Sequence, residues 1–158
     1  MPSPARPEPR RTAAGGGLPV ADSLFFQLVR LVNQTARPFV EGFARQHHLT
    51  LNEWRVLVVV ATRGEANAAA LAQAIGLDKM SVSRALAGLE RRGRIVRSPD
   101  PADGRRAVVR LSAAGRSLYR TVGAAGLERE ARVFAALDDG ERATMQRYVE
   151  RLLRRLDD

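Results

Sequence analysis

The sequence predicts a mainly α-helical fold with one small β-hairpin, on the strength of three observations. Apolar residues recur at helical spacing along most of the chain, from Phe25 to Leu156. Capping residues stand just ahead of these stripes, at Thr50, Asn67, Asp78, Ser112 and Asp138. The β-prone runs Ile95 to Ser98 and Arg106 to Leu111 are divided by Pro99-Asp100-Pro101-Ala102-Asp103-Gly104, a segment dense in turn formers.

The composition narrows the function. A chain of 158 residues, 45% hydrophobic and 27% charged, suits one folded domain with a proper core. It has no cysteine, which excludes disulfides, thiol redox sensing and cysteine metal ligation. No apolar run approaches the length of a membrane span, and the N-terminus lacks the apolar core of a signal peptide, so the expected location is cytoplasmic with no membrane partner. Residues 1–20 combine five prolines, three consecutive glycines and scattered arginines, and read as a disordered basic tail ahead of a domain over 21–158. Arg6, Arg10 and Arg11 offer phosphate contacts from that tail, beside the plainer reading of a solubilising segment.

The first helical region spans about residues 22–46, with Phe25, Leu28, Val29, Val32, Ala36, Phe39, Val40 and Phe43 in one stripe that Leu24, Phe26 and Leu31 widen. So broad an apolar face has more surface than one neighbour covers, which argues for a second chain. Pro38 removes one helix hydrogen bond and is expected to kink or interrupt the helix there. Thr50 and Glu53 form a capping box that opens a short apolar helix through Trp54, Leu57 and Val58, ending near Gly64. After the hairpin, Ser112 caps a helix running to about Leu137, in which Gly115, Gly123 and Gly126 weaken the middle or permit close approach. Asp138 and Glu141 start the last helix, whose stripe is Met145, Val149, Leu152, Leu153 and Leu156.

Between these flanks, residues 71–110 carry the chemistry. Asn67 caps a short helix with Leu71 and Ile75 inward, Gly76-Leu77-Asp78 makes a tight turn, and a second helix follows whose Val82, Ala85, Leu86 and Leu89 form a buried stripe. Its opposite face shows Met80, Arg84, Ala87 and Arg91, flanked by Lys79, Ser81, Ser83 and Gly88. This mixture of cations, hydroxyls and small residues lets a helix approach phosphates and base edges. Exposed cations are also the norm on any solvated helix, and the hairpin tips the balance. Arg105 and Arg106 beside its tip are held clear of the body, towards a nucleic-acid backbone or minor groove. Nine basic and three acidic residues between Lys79 and Arg110 concentrate +6 of the chain's +9 in one supersecondary unit, the footprint of a polyanion partner. Helix, turn, helix and basic hairpin together read as a winged helix-turn-helix over about residues 50–111, with dimerisation helices at about 22–46 and 112–156.

The chain resembles the MarR family of bacterial transcriptional regulators from about Ser23 to Leu156. The resemblance rests on Leu71-Ala72 with Ile75-Gly76-Leu77, then Ser81-Val82-Ser83-Arg84 and Leu89-Glu90-Arg91-Arg92-Gly93. It extends over the wing, from Asp100-Pro101 through Gly104-Arg105-Arg106 into Val109-Arg110-Leu111-Ser112 and Gly115, and includes Leu49-Thr50 to Trp54-Arg55-Val56-Leu57. It implies a triangular homodimer gripping a near-palindromic, inverted-repeat operator in double-stranded DNA, commonly as a repressor released by a small phenolic or carboxylated compound. By the same carry-over Lys79, Ser81, Ser83 and Arg84 enter the major groove, and Arg105 and Arg106 reach from the wing.

Arg37, His47, His48, Trp54 and Arg55 cluster in sequence near the junction of the first two helices, a mix that suits an aromatic acid effector. The plainer reading, with Trp54 in the core and both histidines at a solvated helix end, stands beside it. An enzyme is the competing class. Adjacent histidines on one helix point about 100° apart and cannot share a metal from one face. With no phosphate-binding loop, cysteine nucleophile or carboxylate dyad outside the caps, no catalytic residue, metal or cofactor is expected. A ligand-independent architectural or general nucleic-acid-binding protein is the alternative function, and the lack of aromatics in the basic segment favours duplex DNA over RNA.

Overall fold

The computed structural model describes residues 23–100 and 107–157. Seven helices and three short strands occur among them: α1 (Leu24–Glu41), α2 (Phe43–Gln46), α3 (Leu51–Arg63), β1 (Glu65–Asn67), α4 (Ala68–Ile75), α5 (Lys79–Arg91), β2 (Ile95–Pro99), β3 (Ala107–Leu111), α6 (Ala113–Phe134) and α7 (Asp139–Asp157). The mainly helical reading with a small hairpin therefore holds. The tail over residues 1–20 lies outside the described residues.

Local chemistry accounts for most element boundaries. Thr50 Oγ1 accepts from the Glu53 amide while Glu53 Oε2 accepts from the Thr50 amide, so α3 opens on a complete capping box. Asn67 Oδ1 accepts from the Ala70 amide to cap α4. Gly76 ends α4 at φ 69° and ψ 37°, a left-handed conformation that glycine adopts without steric cost. Only Leu77 then separates it from the next cap, Asp78, whose carboxylate accepts from the Ser81 amide at 2.8 Å and the Ser81 hydroxyl at 2.6 Å. Those bonds favour the charged form and hold the Asp78 carboxyl below its ordinary range. Ser112 caps α6 through the Gly115 amide, and Asp138 with Glu141 forms the reciprocal pair that opens α7.

Some expectations needed correction. α1 runs through Pro38 and breaks at Gly42, four residues further on, where the Gly42 amide still reaches the Pro38 carbonyl at 3.0 Å. Proline forfeits one bond to the preceding turn, but its own carbonyl continues the ladder, so the helix is not interrupted at that position. The hairpin gains a third strand. β1 pairs antiparallel with β3, giving the order β1-β3-β2, with Val109 opposite Ala66 on one side and Arg97 on the other. Glu65-Ala66-Asn67 is too short to show a period of its own and becomes a strand only through that pairing. α6 stops at Phe134 rather than near Leu137.

The core lies where α3, α4 and α5 meet the sheet. Val56, Leu57 and Val60 of α3, Leu71 of α4, and Val82, Leu86 and Leu89 of α5 are buried there with Val109 of β3. Gly88, which the helical pattern places beside the outer face of α5, is buried. An added Cβ at that position would stand 1.9 Å from Glu53 Oε1, so glycine is what lets the carboxylate reach across the helix. Glu53, 3% exposed, is the buried charged residue of this core among the described residues and receives Arg92 Nη1 at 2.8 Å. The start of α6 is fitted equally closely, because a Cβ on Gly115 would meet the Arg94 carbonyl oxygen at 1.9 Å.

Gly115→Ala should therefore lower stability by about 1–3 kcal/mol, since the obstructing atom is backbone, and thermal unfolding followed by circular dichroism will read this as a fall in Tm. Arg92→Met should cost up to about 3 kcal/mol by leaving the Glu53 carboxylate buried without its cation. Unfolding in urea that gives the wild-type midpoint for Arg92→Met would show the pair to be unimportant.

Candidate functional site

α5 presents its outer face as expected at most positions. Lys79, Met80, Ser83, Arg84, Ala87 and Arg91 are exposed, while Val82, Ala85, Leu86 and Leu89 anchor the other side. Ser81 is half-buried and donates its hydroxyl to Asp78, so part of its hydrogen-bonding capacity serves the cap. Arg84 Nη2 donates to the same Ser81 oxygen at 3.2 Å, which leans the guanidinium back towards the helix start. The four candidate groove residues Lys79, Ser81, Ser83 and Arg84 thus share the first turn and a half of α5, immediately after the tight turn. Arg105 and Arg106, the two wing candidates, lie outside the described residues together with the rest of 101–106.

The basic charge of this module divides into two populations. Arg92 pairs with Glu53, Arg97 with Glu90 at 3.0 Å, and Arg110 with Glu65 while also bonding the Ser98 hydroxyl at 3.0 Å. Arg94 donates to the carbonyls of His47 and His48, and burial first, then the neighbouring Arg92 charge, lowers its pKa from the ordinary arginine value. These four guanidinium groups hold the module together. Lys79, Arg84 and Arg91 carry no ion pair among the described residues and remain available to a polyanion. Residue counting could not separate the populations, because the acidic partners Glu53 and Glu65 lie outside the counted segment.

The residues expected around an effector each have their own partners among the described residues. Arg37 is exposed and bound to Glu41 at 2.7 Å, and that hydrogen bond, with the carboxylate's charge behind it, raises its pKa. His47 stacks on Phe43, and exposed His48 takes the left-handed conformation at φ 47°, so both sit at a helix end. Arg55 bonds Asn52 Oδ1 at 3.4 Å. Trp54 lines a cavity. That cavity, of about 280 Å³, is bounded by Phe39 and Phe43 on one side and Val122, Gly126, Arg129 and Arg132 of α6 on the other. The indole is stacked between Phe39, at 5.7 Å between centroids, and Tyr119, at 5.9 Å. Arg129 Nε donates to the Thr35 carbonyl at 2.8 Å, and Arg132 bonds Glu128 at 3.2 Å. Sequence reading missed Arg129 and Arg132. The available signal was their position, three and six residues past Gly126 on the helix whose glycines lie against Trp54.

The described residues contain no group of three or more side chains able to hold a metal, and no helix among them is long and apolar enough to cross a membrane.

Comparison with known proteins agrees with this geometry. The model of the MarR family matches residues 49–107, from the start of α3 into the wing. A Pseudomonas aeruginosa protein of known structure, named as a transcriptional regulator, is 31% identical, with 84% of this chain and 98% of that one covered at a TM-score of 0.71. A Thauera aromatica protein named as a transcriptional regulatory protein for the hcr operon is 28% identical over 135 residues, 85% of this chain and 81% of its own. The fold also matches a MarR/EmrR family regulator from Acinetobacter at a TM-score of 0.79 and 21% identity, over 89% of this chain and 99% of that one. With a winged helix-turn-helix, an outward basic helix and these relatives, the chain belongs to the MarR family of transcriptional regulators.

Proposed function

We propose that this chain is a sequence-specific, double-stranded DNA-binding regulator that acts as a homodimer. In this reading it represses transcription until a small aromatic carboxylate or phenol releases it from an inverted-repeat operator. The observation that carries the DNA reading is the first turn and a half of α5. It follows a tight turn, is rigidly capped, and offers Lys79, Ser83 and Arg84 outward while the arginines behind it are taken up internally. A helix presented in this way enters a major groove with its N-terminal residues at base edges. A MarR variant from E. coli, solved with operator DNA, shares the fold at 22% identity and a TM-score of 0.66 and supports the reading. The wing candidates Arg105 and Arg106 complete it as backbone or minor-groove contacts.

A second copy of the chain is the partner that open apolar surface calls for. In the first turns of α1, Leu24 and Phe25 are 64% and 69% exposed, and on α7 Leu152, Leu153 and Leu156 are exposed on one stripe. Surface of this kind on two long helices fits an isologous interface, which sets two recognition helices about one DNA turn apart.

The cavity around Trp54 supports the ligand reading, with an aromatic wall and two arginines from α6 at its rim. NadR with 4-hydroxyphenylacetate and PcaV with its natural ligand, at 22% and 20% identity, show aromatic-acid and other ligand complexes within this fold. Of the effector residues considered from sequence, Trp54 lies in this cavity, with Arg129 and Arg132 beside it.

Footprinting of promoter DNA should show protection of an inverted repeat with half-sites about 10 bp apart. In competition against random duplex and single-stranded RNA, Arg84→Ala should lose about 1–3 kcal/mol of preference for that site. Lys79→Ala should instead weaken specific and random duplex alike and reduce the salt slope by about one. Equal affinity of the wild type for all three nucleic acids would favour the general nucleic-acid-binding alternative. For the ligand, calorimetry with 4-hydroxybenzoate should show binding that Arg129→Ala weakens about tenfold. Unchanged affinity in that variant would remove the cavity from the effector role.

A further inference from the structure

A second depression, of about 690 Å³, opens between the end of α3, the base of the wing and the start of α6, and the regulatory reading above does not use it. Its apolar side is formed by Val96 of β2, Leu111 of β3 and Tyr119 of α6. Val96 is 53% exposed, an uncovered aliphatic side chain in a strand otherwise engaged in the sheet. Its polar side is formed by Ser112 and three cations, Arg110, Arg116 and Arg120, and among the described residues no aspartate or glutamate lines the cleft.

These three arginines differ in their partners. Arg110 is answered by Glu65 and by the Ser98 hydroxyl. Arg116 gives one N–H to the Leu111 carbonyl at 2.7 Å, a contact that orients the group over the cleft without neutralising it. Arg120 has no ion pair among the described residues. Arg116 and Arg120 lie four residues apart on α6, a spacing that stacks two like charges on one face and works against the helix. Two cations repelling each other beside an aromatic ring and an exposed valine form a surface that an anion would relieve and an apolar body would cover.

We propose that this cleft is a binding site for a small amphipathic carboxylate, separate from the cavity beneath Trp54. The carboxylate lies between the Arg116 and Arg120 guanidinium groups, and its flat apolar body rests on Val96, Leu111 and Tyr119. The two sites are one ring apart, since Tyr119 lines the cleft and stacks on Trp54, which lines the cavity. The proposal needs neither the DNA reading nor the effector reading to hold.

Calorimetry of the full chain with 2-naphthoate tests it, with 2-naphthamide as the neutral counterpart. The carboxylate should bind, the amide should not occupy the cleft, and Arg116→Ala/Arg120→Ala should weaken cleft binding about tenfold or more. Arg116→Lys/Arg120→Lys keeps both charges and should retain binding, which separates loss of charge from loss of fold. Arg129→Ala, in the other cavity, should leave the cleft occupied. The proposal is overturned if 2-naphthoate does not bind at millimolar concentration, if the double alanine variant binds as the wild type does, or if Arg129→Ala alone abolishes all binding. Normal operator binding alongside any of those results would sink the cleft and leave the regulatory reading standing.

Discussion

One carboxylate, that of Glu53, joins the parts of this molecule that must keep a fixed relation. Its Oε2 accepts the Thr50 amide and so closes the start of α3, while its Oε1 accepts Arg92 Nη1 just past the end of α5. The group is almost wholly buried, where an unpaired charge would be costly, so both bonds are needed for the fold to tolerate it. Gly88 is the steric condition for the arrangement, because any side chain there would occupy the carboxylate's place. Arg92 also donates to the Gly88 carbonyl at 2.9 Å, so cation, carboxylate and helix backbone form a closed network.

The residues that follow extend the same junction. Arg94 reaches back to the carbonyls of His47 and His48. Its own carbonyl accepts the Ser112 amide at 3.0 Å, and the Ser112 hydroxyl donates to the Gly93 carbonyl at 2.6 Å. The turn after α5 is thereby bound to the start of α3 and to the start of α6 within four residues. Trp54, which lines the cavity, is the immediate neighbour of Glu53, which holds the end of α5. The surface proposed to read DNA and the surface proposed to read a ligand are mounted on adjacent positions of one short helix.

The arginine-rich composition takes on a different meaning once these contacts are known. A net +6 over residues 79–110 suggests a uniform polyanion footprint, yet Arg92, Arg94, Arg97 and Arg110 are engaged with the chain itself. Arginine suits that internal role because its planar fork serves several acceptors at once and cannot lose its proton. Among the described residues, the charge of this segment left without an internal ion pair is that of Lys79, Arg84 and Arg91, all on α5.

The sequence by itself determined what depends on residues three or four apart. The caps at Thr50, Asn67, Asp78 and Ser112, the Asp138–Glu141 pair, the left-handed Gly76 and the buried stripe of α5 were all legible, because each is closed by a neighbour within one turn. So were the hairpin and the outward positions of Lys79, Ser83 and Arg84. Only the tertiary structure decided the third strand, the passage of α1 through Pro38, the inward face of Gly88 and the grouping of Trp54 with Arg129 and Arg132. Gly88 and the Trp54 grouping depend on packing against other elements. Glu53 meets Arg92 across 39 positions, and Arg129 meets the Thr35 carbonyl across 94. Periodicity and capping carry no information over such separations, because the contacts exist only once the hydrophobic stripes have brought the helices together.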